Sequence, residues 1–193
     1  LVAVGRRGCA EGAFAPACRE GLTFQRGYVQ VDEAFRTPIP GVWAVGDCTG
    51  GIQLAHMATA QGYQALRGMF GPQIAPDKDL AVVPSCVYTD PEIASVGLTA
   101  EEVKAQGLAV STKKYLMTAN GRSVLTGQER GFVKLVAQAD SGRLLGAQLM
   151  CARATDLIGE AALAVAQGLT LAQIAATIHP HPTFCEGFGE AAE

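Results

Sequence analysis

The chain has 193 residues, of which 49% are apolar and 17% charged, and its formal net charge is −3. That is enough apolar material to build the core of one large or two small domains, and too much for a disordered chain. The mild acidity argues against nucleic acid as the main partner, which would need clustered Lys and Arg. No run of about 18 apolar residues is present to cross a membrane.

In chain order, LVAV (1–4) is predicted to end a buried strand, closed by Gly5. The chain starts inside that run, without an initiator Met and without a signal peptide's basic and then apolar order, as a piece of a longer protein would. Residues 11–27 read as loop, with Pro16 and several glycines. YVQVDEAF (28–35) alternates as a strand does, TPIPG (37–41) is a stiff turn, and VWAVGD (42–47) is a short apolar strand ending in Gly-Asp. Residues 52–70 have helical composition, and GPQIAPDKD (71–79) reads as a linker between residues 1–80 and 81–193.

The second part has a different rhythm. AVVPSCVYT (81–89) reads as a strand whose proline suits an edge or bulge. Thr99 and Glu102 have capping-box spacing for a short helix that Gly107 ends. GFVKLVAQ and LLGAQLM flank ADSGR (139–143), a hairpin signal. Residues 154–168 place Leu157, Ile158, Ala161, Ala162 and Val165 on one helical face, and Thr170 caps a last short helix. The fold class expected is α+β: an antiparallel sheet with helices on one face, preceded by a remnant of an α/β nucleotide-binding region. STKK (111–114) reads as a solvated surface, and no internal repeat is found.

Six cysteines lie at irregular intervals with no CxxC pair. They read as reduced, mostly buried thiols of a cytoplasmic protein. Of only three histidines, two occur in HPHPTFCEGFGEAAE (179–193), each followed by a proline. A histidine becomes a useful base near neutral pH when a carboxylate orients its ring. A turn could bring Glu186 to His181, and the flanking prolines restrict the backbone that carries the ring. A cis bond at His181–Pro182 is open, since X-Pro bonds tolerate it. Two other readings stay open from spacing alone: a rigid exposed tail with solvated histidines, and a metal site, for which a His-x-His pair lacks further ligands.

These residues resemble a known family. HPHPT..E is similar to the C-terminal signature of the dihydrolipoamide dehydrogenases, which are flavin-dependent pyridine nucleotide–disulfide oxidoreductases. TPIPGVWAVGD resembles that family's second FAD motif, and LAHMATAQG the helix start that follows it. VPSCVYTDPEIASVGLTAEE looks like the opening of its interface domain, and the segment from GFVKLVAQ to GEAALAV continues in the same order. The resemblance covers essentially the whole chain.

The resemblance implies that His181 is the acid–base that takes a proton from the substrate dithiol, that Glu186 holds its ring, and that the pair serves the other subunit of a homodimer formed through residues 81–193. It implies that Asp47 hydrogen-bonds the ribityl chain of FAD, where capping a helix is the alternative. It implies that Ala55, His56 and Met57 present backbone N–H groups to the flavin, with His56 as packing or polar support. It implies a parent enzyme using FAD and NAD and associating with 2-oxo acid dehydrogenase complexes, in the cytoplasm, with no nucleic acid, membrane or metal. GxGxxG and the CxxxxC redox pair are absent from these residues, and Cys48 and Cys185 are poor substitutes because neither has a partner at the required spacing. The chain is therefore expected to be an inactive C-terminal portion with no cofactor bound. The alternatives are a standalone dimerisation module and a portion of another flavin-dependent disulfide reductase.

Overall fold

A computed structural model describes residues 1–193, and their contacts separate into two units, Leu1–Leu80 and Ala81–Glu193. In the first unit, Pro16 opens a single helical turn, α1 (Pro16–Arg19), where its missing N–H costs nothing. Strands β1 (Phe24–Gln25) and β2 (Tyr28–Val29) then form a hairpin. Arg26 and Gly27 both take positive φ in its two-residue turn, the geometry that matches strand twist.

The longer strands expected at 28–35 and 42–47 do not form. Asp32 Oδ1 accepts the N–H groups of Ala34 and Arg36, both at 2.9 Å, so a side chain takes the donors a strand partner would have used. Pairing beyond the proline turn shrinks to an isolated Arg36–Trp43 bridge. Gly46–Thr49 form a turn of 3₁₀ helix instead of a strand end. Residues 1–4 are not a buried strand either: Leu1, Val2 and Val4 are exposed and pair with no strand. Apolar sequence alone does not bury a strand that lacks neighbours. The main helix, α2 (Ala55–Phe70), ends at Gly71 and holds the 46–49 turn through Gln61, whose buried Oε1 accepts the Gly46 N–H at 2.6 Å.

The second unit is a five-stranded antiparallel sheet: β3 (Ser85–Val87), β4 (Glu92–Gly97), β5 (Val110–Leu116), β6 (Phe132–Gln138) and β7 (Leu144–Cys151), in the order β3-β4-β7-β6-β5. The strand expected over 81–89 shortens to three residues after Pro84, which has no N–H to offer a ladder. The β6–β7 hairpin forms as the ADSGR signal requires, closed by the Gln138 N–H on Arg143 O at 2.9 Å.

Helix α3 (Ala100–Ala105) has its complete capping box: Thr99 Oγ1 accepts the Glu102 N–H, and Glu102 Oε2 accepts the Thr99 N–H at 2.8 Å. A short α4 (Gly121–Thr126) follows β5. After the hairpin come α5 (Ala154–Ala166), α6 (Leu171–Ala175), with a second capping box from Thr170 and Gln173, and α7 (Glu186–Ala192).

Ile158 and Ala161 of α5 and Phe188 and Ala191 of α7 pack with Val133, Leu135, Ala147 and Leu149 in the main core. Strand alternation turns Val136 the other way, and there it meets Ala100 and Val103 in a small cluster with α3.

Helix α5 begins without a side-chain cap of its own, at Arg153 with φ 64. Its cap comes from far away. Glu92 Oε2, on β4, accepts the Thr155 N–H at 2.9 Å and the Thr155 hydroxyl at 2.7 Å. Glu92→Ala should therefore cost about 1–2 kcal/mol, the range for losing a helix cap or a charge-assisted bond. Urea denaturation checks this, with Glu92→Gln expected to lose less because it keeps an acceptor.

Candidate active site

Helix α6 delivers the chain to the His-Pro segment, and α7 anchors its far end. Helix α7 makes its close approaches where its side chains are absent, at Gly187 and Gly189. A Cβ on Gly187 would sit 3.0 Å from Met117 Sδ, and one on Gly189 would sit 2.7 Å from His179 Nδ1. Gly187, Phe188, Gly189, Ala191 and Ala192 are all buried, so the end of the chain is core and not a loose tail.

Between these anchors the geometry is specific. His181 Nδ1 lies 2.7 Å from Glu186 Oε1, and Glu186 Oε2 accepts the Thr183 N–H at 2.7 Å. Both carboxylate oxygens are thus engaged and the group cannot rotate freely. The Thr183 N–H does most to hold Glu186 below the usual glutamate range; burial opposes this, and the His181 ring adds to it. The His181–Pro182 bond is cis.

An ionised Glu186 accepts only, so the His181 nitrogen facing it carries the proton. That leaves Nε2 with its lone pair on a ring whose side chain is 76% exposed, while Glu186 keeps only 19% exposure. A carboxylate orients one side of the ring while its other nitrogen stays open, which is the geometry a general base requires.

Two further contacts hold the loop. Asn120, 1% exposed, donates from Nδ2 to Thr183 O at 2.9 Å while its Oδ1 caps α4 by accepting the Ser123 N–H. His179 turns inward, with Nε2 2.9 Å from Glu160 Oε1 on α5 and Nδ1 3.0 Å from Thr177 O. The two tail histidines therefore do not converge on one ligand point, and each has its own carboxylate. Asn120 and Glu160 escape a reading of the sequence because they sit 63 and 19 residues from their partners.

Glu186 also sets a pH dependence. Its value in the fold lies below that of the unfolded chain. Its contribution to stability is therefore present above the ordinary glutamate value and lost as pH falls through the lowered one. Wild type should be more stable than Glu186→Gln at neutral pH, and the gap should close in acid. Chemical denaturation at a series of pH values checks this.

In the first unit, Asp47 is exposed on the 46–49 turn, 3.9 Å from Arg6 Nη1. Ala55, His56 and Met57 are the first three residues of α2, whose N-cap Leu54 provides no side-chain acceptor. Ala55 and His56 are exposed, whereas the Met57 side chain is buried, which leaves only its backbone N–H for a ligand. Gln61 joins Asp47's turn to this helix; the sequence resemblance did not point to it.

Residues 83–192 match the dimerisation domain of the pyridine nucleotide-disulphide oxidoreductases, and residues 1–62 match a second family model, described as pyridine nucleotide-disulphide oxidoreductase. The chain belongs to that family.

Among curated relatives, the dihydrolipoyl dehydrogenase of Bacillus subtilis is 39% identical over 192 residues, covering 100% of this chain and 40% of the relative. That of Thermus scotoductus is 41% identical over 193 residues, covering 100% of this chain and 41% of the relative. The chain thus spans about two-fifths of the length of these relatives.

Solved structures agree. LpdA from Mycobacterium tuberculosis superposes with a TM-score of 0.83 at 31% identity, covering 92% of this chain and 39% of that one. A copper(II) complex of the HOCl-induced flavoprotein disulfide reductase RclA from Escherichia coli superposes with a TM-score of 0.86 at 26% identity, covering 97% and 43%. No helix of the chain is long and apolar enough to cross a membrane.

Proposed function

We propose that these residues supply the dimerisation domain and the acid–base pair of a dihydrolipoyl dehydrogenase. The observation that carries this reading is the 2.7 Å contact between His181 Nδ1 and Glu186 Oε1, with Nε2 left open. His181 Nε2 takes the proton from one thiol of dihydrolipoamide, and Glu186 stabilises the imidazolium that forms. The resulting thiolate, the nucleophile that the thiol is not, attacks one sulfur of the enzyme's redox disulfide and expels the other as a thiolate; the second substrate thiol then displaces the first cysteine, closing the lipoamide disulfide and leaving the enzyme pair reduced.

No CxxxxC pair and no GxGxxG loop occurs in these residues, so the 193-residue chain alone is expected to turn over no lipoamide. Bound FAD would relay the electron pair from the reduced disulfide to NAD. The exposed Asp47 carboxylate suits the hydroxyls of a ribityl chain, and the first turn of α2, Ala55, His56 and Met57, carries the positive end of a helix dipole that suits the polar edge of a flavin. The isolated chain is expected to be colourless.

The dimerisation-domain match and the exposed apolar side chains Leu163 and Ile178 support a homodimer through residues 81–193. The identity to dihydrolipoyl dehydrogenases supports association with a 2-oxo acid dehydrogenase complex. Six free thiols support a reducing compartment such as the cytoplasm.

The test uses full-length subunits of two kinds, one carrying His181→Ala and the other lacking its redox cysteines. Each is expected to be inactive alone. Co-expressed, they should recover lipoamide turnover, because His181 of one subunit serves the disulfide of its neighbour. Two inactive partners that stay inactive together, while still forming mixed dimers, would refute action across the interface.

A further inference from the structure

The same segment holds a second histidine–carboxylate pair that the reaction as derived leaves unused. The His179 side chain is only 10% exposed, and its ring is fixed on three sides. Nε2 meets Glu160 Oε1 at 2.9 Å, Nδ1 meets Thr177 O at 3.0 Å, and Gly189 of α7 comes so close that a Cβ there would stand 2.7 Å from Nδ1.

Thr177 O can only accept, so Nδ1 faces it as a donor, and Nε2 is the nitrogen that meets the Glu160 carboxyl group. Pro180 is the only residue between His179 and His181, and a second proline follows His181. Proline fixes φ, so a displacement of His179 passes to His181 with little loss. On the far side of His181, Thr183 is tied to Asn120 and to Glu186.

We infer that His179 and Glu160 are positioning residues: they clamp the near end of the base-bearing loop to α5 and so set the His181 ring against Glu186. This inference rests on the reading of His181 as the base. Neither residue touches the substrate, so loss of the clamp reduces the rate of the chemical step and leaves substrate binding in place. A misplacement of the order of an ångström in a reacting group is enough to be felt strongly.

The experiment has two arms. In the 193-residue chain, ring nitrogen shifts report the tautomer of His181, and assignment is simple with three histidines present. Wild type should show the Nδ1–H form paired with Glu186. Glu160→Gln, a half-exposed position expected to fold, should move His181 toward the mixture of a free imidazole, and His179→Phe should do the same.

In the full-length enzyme, Glu160→Gln should lower kcat about tenfold with KM unchanged. An unmoved His181 tautomer together with unchanged kcat would overturn the inference. Equal loss in kcat and gain in KM would also overturn it, because that pattern marks general loosening. His181→Gln run beside it separates the two claims. If His181→Gln is inactive while Glu160→Gln behaves as wild type, only the clamp fails; if His181→Gln is fully active, the reading of His181 itself fails.

Discussion

Replacing His181 with alanine in the full-length enzyme should lower lipoamide turnover about 10²- to 10⁴-fold, the range that a positioned general base contributes. Nothing else on the 179–186 loop presents an open basic nitrogen: the His179 ring is enclosed by Glu160, Thr177 and Gly189. The loss should fall on kcat, since an imidazole that accepts a proton late in the approach contributes little to holding the ground state.

The fold should survive, because the ring is exposed and Glu186 keeps its bond to the Thr183 N–H. Steady-state kinetics with dihydrolipoamide, with dimerisation and flavin content measured alongside, check this result.

The second large effect is on stability. Phe188→Ala should destabilise the second unit by about 3–5 kcal/mol, the cost of emptying a buried aromatic site. Phe188 is 1% exposed and sits on α7 among the residues that join that helix to the sheet. Helix α7 has seven residues and no side-chain N-cap, so packing and not intrinsic propensity holds it.

Glu186 is the first residue of the same helix, and it should lose its register with His181 when Phe188 goes. Urea denaturation of the chain measures the loss. Lys104→Ala is the control: exposed on α3, it should change stability by no more than about 0.5 kcal/mol.

What could be read from the sequence was what short range decides. Thr99–Glu102 and His181–Glu186 are three and five residues apart, and each is a pattern in the sequence, as is Thr170 as a helix cap; its partner Gln173 emerges only in the structure. The inward face of α5 was legible from its periodicity: Ile158 and Ala161 are fully buried there, with Leu157, Ala162 and Val165 packed alongside.

Strand β5 was not legible, because its outward residues include Lys113 and Lys114, which blur the alternation. Their place on an edge strand explains them, since lysines discourage further pairing there. Helix α7 was hidden by Gly187 and Gly189, which weaken any helix taken alone. Here they are what lets it approach Met117 and His179.

LVAV misled in the opposite way, since a strand signal says nothing about whether neighbouring strands are present. Glu92, Asn120 and Glu160 act on partners that only the folded chain brings near.

The most direct test of the acid–base reading is the pH dependence of kcat/KM for dihydrolipoamide in the full-length enzyme, wild type against His181→Ala. If His181 removes the thiol proton, the variant loses the acid limb that wild type shows. Its residual rate should then climb with pH toward the ordinary thiol range near about 8.5, as the substrate ionises unaided. A variant whose profile overlays that of wild type in both height and shape would show that another group is the base, and the account given for His181 and Glu186 would be wrong.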